Sequence, residues 1–524
     1  MTRPSSIDPS QLRLMFHPFL LASLVALVGP AIPSGRAADI VDRPEKLTFP
    51  ELKYEPPNPT TFRVPLQAGP VAYLVPDHEL PLVNVQILVR CGSYLEPVDK
   101  AGLADFTGHL LVRGGTETKT AEVLEERLAF LAASLTSGIG DEQGTVNLNL
   151  LSKDLAEGLG LLREVLTTPR FQSNRFGLYR QQVIQSMKQR NDDSSAIEGY
   201  QQAYLSYGTN FWATHFTTLK SVESLTLDEL RAFHHKWFHP ANFVVAVNGD
   251  FDRESLTATL EKFFTDWPFK GAIPPPIPTN TQLAHPGVYL VNKDVNQGRV
   301  SILLPGVKRD DPEFPAVLIM NDILGGGGFT SRIMNRIRSD EGLAYGASSS
   351  FPGGVDFAKP FKAAFQSKSR TVAYASSIML EEMTRIREAR VSDEELETAK
   401  RSFIDTFPEH FGTKAKVAAT FARDEFTGRF EKQPDFWRNW RSKIEAVSAE
   451  DVKRVATKNL HPENAVILIV GQRDEMAKGH PDHPVKLEQL AAGRINDLPL
   501  RDPLTLEPLP AAAPKPSEPS EPTR

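Results

Sequence analysis

One stretch of this chain occurs twice. "VESLTLDELRAFHHKWFHPANFVVAVNGDF", Val222–Phe251, returns as "IEAVSAEDVKRVATKNLHPENAVILIVGQRD", Ile444–Asp474. With His239-Pro240 laid on His461-Pro462, every pair lies 222 residues apart: Leu225 meets Val447, Thr226 meets Ser448, Asp228 meets Glu450, Asn242 meets Asn464, Val244 meets Val466 and Gly249 meets Gly471. Each copy encodes the same local physics. Thr226 or Ser448 is a helix N-cap followed by acidic residues, which suit the positive end of the helix dipole. The helix stops before His-Pro, because proline disfavours its continuation. A short apolar run then reads as a buried strand.

The openings of the two halves also agree in kind: "VAYLVPDHELPLVNVQILVRCGS" in the first, "GVYLVNKDVNQGRVSILLPG" in the second. A proline-rich linker at 269–285 separates them. The reading is two homologous domains, 45–268 and 286–475. "GTVNLNLL" alternates like a half-buried strand, while "LAEGLGLLREVLTTP" and "TAEVLEERLAFLAASL" carry helical apolar spacing. The order of elements lacks the strict alternation of a doubly wound sheet. The expected class is α+β, each domain a largely antiparallel sheet covered by helices.

The ends read differently. Arg3 and Arg13 precede the apolar run "FLLASLVALVG", and small residues follow near Ala37 and Ala38. The run is short for a membrane span, so 1–38 is expected to be a secretory signal peptide, with an uncleaved anchor as the alternative. The expected location is the periplasm, with no membrane span after signal removal. The segment 499–524, rich in Pro, Ser, Ala and charge, is expected to be a disordered tail. The formal net charge of −6, with no basic stripe, argues against nucleic acid as a partner. Cys91 is the single cysteine, so no cysteine cage for zinc can form, and a metal would need His, Asp or Glu.

The stretch "GSYLEPVDKAGLADFTGHLLVRGGT" resembles the zinc-motif region of the pitrilysin/insulinase family of metallopeptidases, to which the mitochondrial processing peptidases also belong. That resemblance covers both halves and implies the family's two-domain metallohydrolase fold. Active members carry H-x-x-E-H on a helix: two histidines on one face bind zinc, and the glutamate activates the metal-bound water. Here the corresponding positions are Asp105, Gly108 and His109. The family's third ligand, a glutamate about 77 residues further on, falls on Ser186. The motif is therefore degenerate, and no metal is expected in this chain.

In the second half, "LGGGGFTSRIMNRIRSDEGLAYGASSS" resembles the family segment in which an arginine and a tyrosine contact substrate. The resemblance places them at Arg338 and Tyr345. A guanidinium and a phenol aimed at a peptide carbonyl would stabilise charge developing on its oxygen. On spacing alone, a solvated Arg338 and a core-packed Tyr345 are the alternative. Gly325–Gly328 make a flexible turn and not a phosphate loop, since no G-K-[ST] follows. His234, His235 and His239 include a pair at metal spacing, but the repeat puts Thr457 opposite His235, so they read as a structural corner.

Together these imply a chain inactive alone: a non-zinc subunit supplying Arg338 and Tyr345 to a zinc-bearing insulinase-family partner for peptide hydrolysis. A scaffold or chaperone of the same family, and an autonomous peptidase with a rebuilt metal site, remain alternatives.

Overall fold

The computed structural model describes residues 54–490 and 495–510, with Arg43 and Leu47 before them. Met1–Lys53 is a unit by itself, and the architecture below is that of Tyr54 onward. The expected signal segment 1–38 and the last part of the expected tail, 511–524, lie outside the described residues.

Two six-stranded sheets are built on one plan. Strands are numbered along the chain. The first sheet runs, in spatial order, β1 (Arg63–Pro65), β2 (Val71–Pro76), β6 (Phe243–Gly249), β3 (Leu82–Val89), β5 (Gly144–Leu151), β4 (Ser134–Ile139). The second runs β12 (Ile495–Leu498), β7 (Gly287–Asn292), β11 (Val466–Gly471), β8 (Gln297–Val307), β10 (Lys359–Lys368), β9 (Ala347–Ser350). The repeated strand is central each time: β6 pairs parallel with β2 and antiparallel with β3, as β11 does with β7 and β8. The sheets are thus mixed, with antiparallel pairs in the majority. The repeated helices, Leu227–Trp237 and Ala449–Asn459, both begin with reciprocal capping boxes, Thr226 with Glu229 and Ser448 with Asp451.

Along β5, Val146, Leu148 and Leu150 face the core, and Asn147 and Asn149 point the other way. β6 and β11 break this alternation, being apolar and buried almost throughout. Their second faces are covered by exchange. Helix Lys414–Phe426, from the second half, lies across β6 and β2, setting Val417, Ala418 and Phe421 against Tyr73, Val75, Val244 and Ala246. Helix Ser194–Tyr207, from the first half, lies across β11 and β8, setting Ile197 and Leu205 against Leu303, Val466 and Leu468. Each fully buried side chain of this kind stabilises by about 1.5–3 kcal/mol. Polar groups fix the register of the exchange. Glu425 accepts from Arg63 Nε and Nη2, both at 2.9 Å, and from the Tyr73 hydroxyl at 2.9 Å. Glu198 accepts from the Ser301 hydroxyl and pairs with Arg299 and Lys362, both at 3.5 Å.

Two expectations need correction. The second sheet does not end at 475: its edge strand β12 returns from Ile495–Leu498 to pair with β7. The tail expected to be unstructured from 499 is ordered through 510. Pro499, Arg501, Pro503 and Leu504 offer carbonyls to Gln201, Asn191, Arg190 and the backbone of Leu219, all in the first half. Composition suggested disorder, but the backbone here finds hydrogen-bond partners that composition does not reveal. The linker is irregular yet anchored, with Ala272 N–H on Lys236 O and Ala284 N–H on Leu205 O.

Candidate functional site

The helix Leu103–Arg113 carries the degenerate motif. Glu96 caps it, accepting the N–H groups of Gly102 (3.1 Å) and Ala104 (2.6 Å); burial nonetheless pushes this carboxyl up to about 7. Leu103, Phe106, Leu110 and Leu111 face the core.

Asp105 and His109, one turn apart, share the opposite face and meet a residue that the sequence reading did not single out. Tyr179, on helix Ser173–Lys188, donates its hydroxyl to Asp105 Oδ2 at 2.8 Å and stacks its ring on His109, centroids 3.6 Å apart and 5° from parallel. Burial raises the Asp105 pKa against the Tyr179 hydrogen bond, while burial and then Arg113 push His109 down to about 4. His109 is therefore neutral at pH 7. Ser186 sits two turns past Tyr179, exposed, with no hydrogen bond from its side chain. A seven-residue step back from Ser186 along one helix face is the signal that would have found Tyr179.

Gly108 points elsewhere. A Cβ built there would lie 2.4 Å from Ile139 N and 2.8 Å from Gly138 C, both backbone atoms of β4. The Ser137 hydroxyl ties the same junction, donating to Gly108 O at 2.6 Å. Helix and edge strand touch where the family's glutamate would stand, which explains a helix-weakening glycine at this position.

These residues do not fit a catalytic zinc. Such a site needs three converging protein ligands and a base beside the metal-bound water. Asp105 is engaged by a phenol, His109 lies flat beneath the same ring, and Gly108 leaves no room for a glutamate. Among the described residues no group of three His, Cys, Asp or Glu side chains converges anywhere. Two of the three histidines in the repeated corner hold structural bonds, buried His234 with Leu166 O at 2.9 Å and His239 with Ala272 O at 3.0 Å in the linker, while His235 packs its ring near Phe269.

The second half presents a different surface. Asp322–Gly326 and Asn335–Asp340 are π-helical turns, a rare geometry concentrated at functional sites. Gly328, at φ +60°, turns the chain between them and projects Phe329 outward. Arg338 lies on the second π turn. Its Nη1 donates to Tyr345 O at 3.0 Å, and its guanidinium carbon stands 4.4 Å from the Tyr345 ring centroid and 4.7 Å from that of Phe329. Tyr345 is 86% exposed and Phe329 64%, so neither ring serves the core. The structure thus brings Arg338 and Tyr345 together and excludes a core-packed Tyr345. Phe329 was not identified from the sequence; an apolar residue directly after four glycines was the available signal.

Residues 72–203 match the family described as insulinase (peptidase family M16), and residues 224–403 match the one described as peptidase M16 inactive domain. The probable mitochondrial-processing peptidase subunit beta of Arabidopsis thaliana is 22% identical over 405 residues, 74% of each chain. A protein of Helicobacter pylori described as non-peptidase homolog YmxG is 25% identical over 341 residues, 63% of this chain and 76% of that one. Among solved structures, the peptidase M16 inactive domain from Pseudomonas fluorescens superposes with a TM-score of 0.70 at 22% identity, over 78% of this chain and 97% of that one, which shows a shared fold.

Proposed function

Because the chain belongs to the insulinase family, peptidase family M16, and is deficient in its zinc motif, we propose that it is the non-zinc subunit of a heteromeric metallopeptidase, contributing Arg338 and Tyr345 to a peptide site completed by a zinc-bearing relative. One contrast carries this reading: the motif helix is packed so that Gly108 admits no glutamate, while a half-buried Arg338 is joined to an exposed Tyr345 that has no core role. The likeness to a chain named as a processing-peptidase subunit supports a subunit role. The signal-like N-terminal pattern supports a periplasmic location. Peptide substrates are held in extended form, with the Arg338 guanidinium and Tyr345 phenol as hydrogen-bond donors to the peptide. In this reading this chain binds no zinc of its own; the metal belongs to the partner.

The test uses full-length tagged chain recovered from its own cells and assayed for peptide cleavage and zinc. A co-purifying zinc-bearing relative, with cleavage that falls at least tenfold on Arg338→Ala, is the expected result. A zinc-free, inactive preparation without such a relative would overturn the proposal and leave a scaffold or chaperone, the reading favoured by the likeness to a non-peptidase homologue.

A further inference from the structure

The guanidinium of Arg338 is used on one side only. Nη1 donates to Tyr345 O, and no other acceptor and no carboxylate in the described residues meets this side chain. Its Nε–H and Nη2–H, two parallel donors along one edge of the plane, meet no protein acceptor among the described residues. Two exposed rings, Phe329 and Tyr345, stand within cation–π distance of the same group. Single donors of that edge take carbonyl or hydroxyl oxygens elsewhere, as Arg370 Nε does with Gly479 O, but where both donors are used together carboxylate oxygens meet them: Arg63 presents Nε and Nη2 to the two oxygens of Glu425, and Arg332 does the same with Glu395. A single carbonyl oxygen fills only part of such a fork, whereas a carboxylate matches it with two bonds.

We infer that Phe329, Arg338 and Tyr345 form a carboxylate-recognition subsite, in which Phe329 is a positioning residue that holds the guanidinium so that its Nε/Nη2 edge receives an acidic group of a bound peptide. This rests on the proposal that Arg338 and Tyr345 contact substrate, and deepens it by naming the chemical class recognised. The group is either an acidic side chain or the free C-terminus of the peptide; both offer the same two oxygens. Phe329 is placed for this role by the Gly328 turn, and at 64% exposure its burial does little for the fold.

The test is fluorescence anisotropy with the full chain and three labelled unstructured peptides of equal length: one with glutamates and a free C-terminus, one with those glutamates replaced by glutamine, and one with the C-terminus amidated. Wild type is expected to bind the first, and Arg338→Ala to weaken it by at least tenfold. The arm whose change reproduces that loss identifies the source of the carboxylate. Phe329→Ala is expected to weaken the same peptide by about 2- to 5-fold, the range of an exposed cation–π contact. Phe329→Tyr should restore binding and Phe329→Leu should not, which separates ring stacking from simple bulk. Loss with Arg338→Ala but none with Phe329→Ala, or equal binding of all three peptides, would overturn this inference alone. Peptide binding indifferent to Arg338→Ala, or absent in wild type, would overturn the substrate-contact proposal beneath it as well. Unchanged unfolding midpoints for the variants establish that binding and not folding is being read.

Discussion

Replacing Gly108 by alanine sets two physical effects against each other. In a helix interior, alanine is favoured over glycine by about 1 kcal/mol. At Gly108, however, the new Cβ would stand 2.4 Å from Ile139 N, 2.8 Å from Gly138 C and 2.9 Å from Ile139 Cγ1. Two of these are backbone atoms of β4, already tied to the helix through Ser137, so no side-chain rotation relieves them. Overpacking of a well-filled core costs about 1–3 kcal/mol, and backbone contacts put this case at the upper end. The expected net effect is a destabilisation of about 2 kcal/mol. Gly160, in the interior of helix Leu155–Thr167, supplies the control, because its Cβ would meet nothing within 4 Å. Gly160→Ala should therefore stabilise by about 1 kcal/mol. Urea unfolding followed by circular dichroism reads both variants. If Gly108→Ala stabilises as Gly160→Ala does, the helix–strand contact is wrong, and with it the reason that the glutamate cannot return. The same packing predicts that Asp105→His combined with Gly108→Glu yields a less stable chain and no peptidase.

Three further outcomes follow from the geometry. His109 has its pKa depressed to about 4 against an ordinary value near 6.5, so the native state resists its protonation; its contribution is complete above about pH 6.5 and is lost as pH falls through 4. The His109 ring signals in NMR should stay those of a neutral imidazole down to pH 5, and a midpoint near 6.5 would contradict the burial of this ring beside Arg113. Glu425→Ala leaves Arg63 and the buried Tyr73 hydroxyl without their acceptor and should cost about 3 kcal/mol in chemical denaturation, whereas a loss below 1 kcal/mol would show that the exchanged helix does not depend on this contact. Ending the chain after residue 494 removes β12 and the bonds from Arg190, Asn191, Gln201 and Leu219, worth about 1 kcal/mol each. A lower melting temperature and faster tryptic cleavage at Lys270 in the linker are expected, and an unchanged cleavage rate would mean that the strap does not tie the halves.

The sequence by itself determined the local and periodic features of this protein. A buried strand behind a capped helix writes the same pattern wherever it occurs, so the pairs from Leu225/Val447 to Gly249/Gly471 announced two related domains. Asp105, Gly108 and His109 announced a motif without its chemistry, because a ligand is identified by residue type. What the tertiary structure decided are matters of contact between segments far apart in the chain. Helices Ser194–Tyr207 and Lys414–Phe426 have ordinary amphipathic patterns, and a pattern states that a face is buried without stating against which sheet. Gly108 reads as a weak helix residue until β4 is seen against it. Residues 499–510 read as disordered until their carbonyls are seen to accept hydrogen bonds from the other half. Exposure is decided in the same way: Phe329 and Tyr345 are aromatic letters in a sequence, and only folding shows that they stand in solvent within cation–π distance of one arginine. Periodicity is a property of neighbours along the chain, whereas a site is a property of neighbours in space.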